Sequence, residues 1–216
     1  MTATAGVDDV AVLRGTVRQP VRHGTPGPDL RRAARAAAEF LDALGIRPDG
    51  PDLADTPRRM AAAYAEMVTP RPFDLTTFAN GEGYDELVLA RAIPVQSLCE
   101  HHMLPFTGVA HVGYLPGERI VGLSKLARVV ELFARRPQVQ ERLTVQVAGW
   151  LQTHLRPRGV GVVVAAEHSC MSLRGVRAGG SSTVTSSLLG TLREDARSRA
   201  EFLGLATAHA TLGAAW

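Results

Sequence analysis

Two cysteines, and only two, stand in this chain of 216 residues, and each has a histidine close by. Cys99 lies in Leu98-Cys99-Glu100-His101-His102-Met103, three residues before His102. Cys170 lies in Glu167-His168-Ser169-Cys170-Met171, two residues after His168. If the two pieces serve one purpose, the fold has to bring together segments 71 positions apart (170 − 99). Two thiolates and one imidazole make a three-ligand zinc set with a fourth position open to water, the pattern of a catalytic rather than a structural site. A Cys99–Cys170 disulfide is the bland alternative, but it needs no neighbouring histidines. Two cysteines are also too few for a disulfide scaffold of this size. Spacing alone leaves open whether His101 or His102 is the ligand. Adjacent residues on a strand or turn point in different directions, so one ligand and one free imidazole is the expected split. A free imidazole beside the metal suits proton transfer near neutral pH. Zinc brings the pKa of bound water to roughly 7. The residues therefore point to a hydrolytic zinc enzyme without naming its substrate.

The surrounding chain reads as a soluble α+β domain with an appendage. Charged residues make up 21% and the formal charge is only +3, too small to imply a nucleic-acid coat but compatible with a few arginines around an anionic small molecule, so no nucleic-acid partner is expected. No stretch reaches membrane-spanning length and no signal peptide is evident, so no membrane partner and a cytoplasmic location are expected. Residues 1–28, including His23, read as a flexible N-terminal arm. An N-terminal helical segment spans 29–70. Asp29 caps a helix to Leu44 with an apolar stripe through Leu30, Ala37 and Leu41, and Gly45 stops it. Pro48, Gly50 and Pro51 break the chain. Thr56 then caps a second helix, with Pro57 first in it, running to Pro70. On spacing alone Arg59 is a solvated helix residue.

From 85 to 205 the expected order is strand, strand, helix, helix, strand, strand, helix, with 206–216 as a tail. Strands fall at Leu87–Val95 and Pro105–Leu115. A helix opens at Gly122-Leu123-Ser124, with Ser124 as cap, and ends at Pro137. A second helix runs from Gln138 to Leu155. Val160–Ala166 is the strongest strand, a β-branched run flanked by glycine. Ser182–Leu188 returns as a strand, and Arg193–Leu205 closes as a helix. Both cysteine motifs thus sit at strand ends.

Several long motifs in one order make the sequence resemble the GTP cyclohydrolase I family. They are Ser97–His102, Ile120–Arg128, Arg136–Leu143, His168–Met171, Arg174–Arg177, Thr183–Ser186 and Glu201–Leu203, and the likeness runs from about Asp29 to Leu205. The resemblance implies a T-fold, a four-stranded antiparallel sheet with a helix pair on one face. Five units would close a barrel and two pentamers would stack into a homodecamer with active sites between subunits. The implied reaction converts GTP and water to 7,8-dihydroneopterin triphosphate and formate. Zn2+ would be held by Cys99, His102 and Cys170, with His101 and His168 as acid–base groups and Ser124 near the ribose. Glu141 would read the guanine edge, with Gln140 beside it. Lys125, Arg128, Arg174 and Arg59 would hold the triphosphate, which reverses the bland reading of Arg59. Two departures stand out: Ala62 where some members carry lysine, and no lysine in Ala178–Ser182. Relatives of other chemistry fit less well. A nitrile reductase of this fold has no use for paired Cys–His neighbours, a pterin synthase would want three histidines, and the zinc-deaminase pattern is absent. A non-catalytic zinc- and GTP-binding paralogue is the remaining alternative, and it would not need His101 and His168.

Overall fold

A computed structural model describes residues 16–21, 27–47, 50 and 52–208. In chain order the elements are β1 (Thr16–Val21), α1 (Leu30–Ala43), α2 (Thr56–Met67), β2 (Phe73–Ala79), β3 (Val88–Cys99), β4 (Pro105–Leu115), β5 (Arg119–Val121), α3 (Leu123–Ala134), β6 (Pro137–Gln138), α4 (Gln140–Leu155), β7 (Gly159–His168), α5 (Ser169–Ser172), β8 (Thr183–Gly190), α6 (Thr191–Glu194) and α7 (Ala196–Thr207). His23, Pro48, Pro51, most of the N-terminal arm and residues 209–216 lie outside the described residues.

Among the described residues, β3, β4, β7 and β8 form one antiparallel sheet, and two-residue β6 adds a parallel edge beside Leu98 and Cys99. The sheet is therefore five-stranded where four strands were expected, with β6 at one edge and β8 at the other. Helices α3 and α4 cover one face. Leu126, Val129, Val130, Leu143, Val147 and Leu151 meet Phe106, Ala110, Val112, Val160, Val162 and Val164, all fully buried or nearly so. The β-branched run of β7 is buried on both faces, which is why it lacks alternation. On the opposite face Leu115, Val163, Leu188 and Leu192 pack against Phe202 of α7. Gly161 allows this approach: a Cβ there would stand 2.6 Å from the Phe202 ring.

Several expectations shift. Residues 16–21, read as part of a structureless arm, form β1 and pair antiparallel with β2, which in turn pairs with β5. This second, three-stranded sheet escaped sequence reading because its strands are short and Pro- and Thr-rich, and pairing rather than periodicity orders them. Strand β3 runs on to Cys99 instead of ending at Val95, past a bulge at Ala92, whose φ is 54°. Gly122, not Ser124, caps α3. Asp55, not Thr56, precedes α2, so Pro57 is its second residue. Helix α4 begins at Gln140 because Pro137 and Gln138 are taken up in β6. The closing helix is split at Asp195, whose carboxylate accepts from Ser198 N at 2.7 Å and starts α7 afresh. Asp29 caps α1 as expected, accepting from Arg32 N at 3.0 Å. The stripe of α1, however, is largely open: Leu30 and Leu44 are exposed and Ala37 alone is buried.

Candidate active site

The β3–β4 connection carries the first motif. Cys99 N donates to Leu104 O at 2.8 Å and Met103 N donates to Cys99 O at 2.8 Å, so residues 99–104 form a tight turn with Met103 at φ 55°. Glu100 N donates to Gln138 O at 3.0 Å, and Arg142 bonds the Glu100 carboxylate, which ties the turn to the start of α4. The two histidine rings stand at 88° to each other with centroids 6.4 Å apart, yet the Nδ1 of each lies near Cys99 Sγ, at 3.9 Å for His101 and 3.8 Å for His102. Tyr64 of α2 also braces the turn, its hydroxyl donating to Met103 O at 3.2 Å. The second motif follows β7, where Phe106 of β4 is registered against His168. The Phe106 and His168 rings stack at 4.5 Å, and α5 begins directly after His168 and presents Cys170.

This pairing of β4 with β7 is what joins the two motifs. Ligand atoms of Cys99, His102 and Cys170 all lie within 4.8 Å of one another. Two sulfurs and one ring nitrogen at that spacing suit a tetrahedral zinc ion with one position left open. Both cysteines are free thiols, so the disulfide alternative is not realised. Burial, followed by the neighbouring Cys99 sulfur, pushes the Cys170 thiol up. A cation among these sulfurs would reverse that by favouring thiolate. Arg174 Nη1 lies 3.2 Å from His102 Nε2, so a guanidinium reaches the rim of the group.

Cys99, His101, His102, Glu141, His168 and Cys170 line one cleft of about 230 Å³. Gln140, 2% exposed, orients His168 within it. Its Nε2 donates to Val164 O at 3.0 Å and Thr183 O at 2.9 Å, and carbonyls can only accept. Its Oε1 must therefore be the atom 2.8 Å from His168 Nε2, and that nitrogen carries the hydrogen. Nδ1 is left as the nitrogen able to accept a proton. Burial holds the His168 imidazole below its ordinary range, and the Glu141 charge partly opposes this. Thr144 and Thr185, hydroxyls 2.7 Å apart, complete the buried network under Gln140. Thr144 was not singled out from sequence, and Thr185 stood only within the Thr183–Ser186 stretch, with no role given to it. Their link crosses from α4 to β8, and no sequence pattern marks such a pairing.

Ser124, Lys125, Arg128 and Arg59 do not line this cleft. Arg128 Nη1 pairs with Glu131 at 3.0 Å, and Arg59 pairs with Asp55 at 3.5 Å. The metal ligands and histidines converge within one chain, while most of the expected phosphate-binding cations stay apart.

An α+β fold carrying a Cys–His–Cys donor group beside a buried, oriented histidine defines a hydrolase equipped for a metal ion. Comparison narrows the class. The family model for GTP cyclohydrolase I matches residues 33–207, and the chain belongs to that family. It is 54% identical over 182 residues to GTP cyclohydrolase 1 of Mycobacteroides abscessus, covering 82% of this chain and 89% of that protein. It is 49% identical to GTP cyclohydrolase 1 of Aquifex aeolicus over 82% of this chain and 96% of that one. For Thermobifida fusca the figures are 51%, 83% and 89%. Among solved structures, the archaeosine synthase QueF-Like in the apo form aligns with TM-score 0.39 and 18% identity, over 48% of this chain and 93% of its own, too distant a likeness to argue from.

Proposed function

We propose that this enzyme hydrolyses GTP and rearranges it to 7,8-dihydroneopterin triphosphate, releasing formate, with Zn2+ as its cofactor. One observation carries the reading: the Cys99–His102–Cys170 group shares a cleft with His168, His101 and Glu141. A zinc ion held by those three residues supplies Lewis acidity and makes water nucleophilic near neutral pH.

The chain's own residues then have distinct tasks. Glu141 accepts hydrogen bonds from the N–H groups of a guanine edge, which adenine does not offer in that arrangement. This places the five-membered ring of the purine toward the metal group. His168, its Nε2 hydrogen held by Gln140, exchanges protons at Nδ1 with the opening ring. The low proton affinity that burial gives it favours the neutral form, able both to receive and to return a proton. His101, on the same turn as His102, serves the later proton movements, with Ser124 near the ribose. Arg174 stands at the cleft rim, where it suits a phosphate.

Lys125, Arg128, Arg59 and Ser124 lie outside the cleft of their own chain, so a second copy delivers them. The sheet supports such assembly. The outer edge of β8 is unpaired among the described residues, and that of β3 is paired only at Leu98 and Cys99. Free backbone edges of this kind are satisfied by a neighbour's strand. A toroidal decamer of two pentamers is the assembly we propose, working in the cytoplasm. Among the described residues no helix is long and apolar enough to cross a membrane.

The test is direct. Zinc-loaded protein incubated with GTP should release one formate per GTP and yield a pterin that fluoresces after oxidation. Bound zinc and bound GTP without formate would instead identify a non-catalytic paralogue.

A further inference from the structure

A second cluster of charge lies away from the metal group, in a cleft of about 260 Å³ between α3 and the outer edge of β3. Its centre is Glu131. Arg71 grips that carboxylate with two bonds, Nε to Oε1 and Nη2 to Oε2, each 2.7 Å. Arg128 Nη1 donates to Oε2 at 3.0 Å, and Arg135 Nε stands 3.7 Å from Oε1. Three guanidinium groups on one carboxylate leave a local excess of two positive charges (3 − 1). The Glu131 side chain is only 14% exposed, whereas Arg71 is 66% and Arg128 36% exposed. The carboxylate is therefore hidden under the cations, and what faces the solvent is guanidinium. These arginines hold the Glu131 carboxyl down to about 2, so it stays ionised throughout the working range.

Arg135, 21% exposed, has a structural task of its own, its Nη1 donating to Glu66 O of α2 at 2.6 Å. Arg71 and Arg128 are the two that face solvent, and their mutual repulsion is relieved when an anion arrives. Each guanidinium has five N–H donors in a rigid fork, and Glu131 occupies two on Arg71 and one on Arg128. The remaining donors have fixed directions because their partner is buried, so little side-chain entropy is lost on binding. Multiply charged phosphate chains match this best, since adjacent phosphates can engage two forks at once.

We infer that Arg71, aimed by Glu131, is a further polyphosphate-binding residue beside Arg128, the residue that the family resemblance already implies for the triphosphate; the resemblance does not assign Arg71. As a subsite for the triphosphate of the nucleotide, this rests on the proposed GTP reaction.

The experiment uses full-length, zinc-loaded protein and three probes: inorganic tripolyphosphate, GTP and guanosine. Tripolyphosphate should bind by calorimetry and compete with GTP. Arg71→Ala should weaken tripolyphosphate about tenfold, the worth of one exposed charge-assisted contact, and raise the KM for GTP more than it lowers kcat. Arg71→Lys should recover part of the loss, and guanosine affinity should be unaffected. Tripolyphosphate affinity unchanged in Arg71→Ala overturns the inference, as does equal weakening of guanosine, which would mean that Arg71 acts through the fold. If GTP weakens but free tripolyphosphate never binds, the subsite as stated is also wrong. Because calorimetry with tripolyphosphate needs no turnover, the subsite can stand or fall separately from the GTP reaction.

Discussion

Replacing Gln140 with leucine isolates what the buried carboxamide does. Leucine fills a similar volume but has neither donor nor acceptor. Four groups then lose a partner: Val164 O, Thr183 O, Thr185 Oγ1 and the Nε2 hydrogen of His168. A buried polar group left unpaired costs roughly 1–3 kcal/mol. Some relaxation of the β7 and β8 backbone is available, so about 2–5 kcal/mol of destabilisation is expected. For a chain of this size that is a fall in Tm of about 5–15 °C. The kinetic effect is separate. His168 keeps its stack on Phe106 at 4.5 Å but loses the contact that fixes its proton on Nε2. General acid–base catalysis supplies about 10²–10⁴ in rate, and loss of orientation should forfeit about 10–100-fold of kcat. The assay is formate release at saturating GTP, well below the variant's Tm, with zinc content measured on the same sample. Gln140→Glu sharpens the comparison. It still accepts from His168 but sets an oxygen against two carbonyls, so it should recover more kcat than stability. A Gln140→Leu enzyme with one zinc per chain and kcat within about twofold of the parent would refute the positioning role.

Other perturbations test other parts of the site. Cys170→Ala should cut zinc from about one per chain to near none by metal analysis, because two donors hold the ion far more weakly than three; full occupancy in that variant would remove Cys170 from the ligand set. Mixing inactive Lys125→Ala and inactive His101→Ala chains, then allowing them to reassemble, should restore activity if each site takes residues from two copies; mixtures as dead as their parents would argue for sites within one chain. Glu131 provides a pH test. Its folded pKa, about 2, lies below the ordinary 4.5, so the stability it contributes is present above about pH 4.5 and lost as pH falls toward 2. Relative to Glu131→Gln, the parent should gain about 1–2 kcal/mol at pH 7, below the full linkage value because Arg71 is largely exposed and screened. Urea melts should show that gap closing in acid, and a gap constant with pH would disprove the linkage.

Much of the site was legible because the residues that carry it are scarce or locally patterned. Two cysteines with histidine neighbours announce a metal group in any chain of this composition. The β-branched run at 160–166, the glycine stop at Gly45 and the cap at Asp29 are local signals, and local sterics and hydrogen bonding enforced them. The first sheet and its helix pair followed from periodicities of 2 and 3.6. The second sheet did not. β1 and β5 are ordered by backbone bonds to β2, and such bonds leave no side-chain pattern.

Sequence by itself determined which chemistry the chain carries: sulfur and imidazole for a cation, spare histidines for protons, arginines for an anion. Tertiary structure decided where each lies. The register Phe106 opposite His168 closes 71 positions of chain into a group 4.8 Å across. Gln140, read as a neighbour of the guanine contact, proved to be the buried acceptor that orients His168. Arg71, invisible in any motif, came to share one carboxylate with Arg128. The reason is the same in each case. A side chain's type is set by its own codon, but its partner comes from a distant element, and only packing determines which element arrives there.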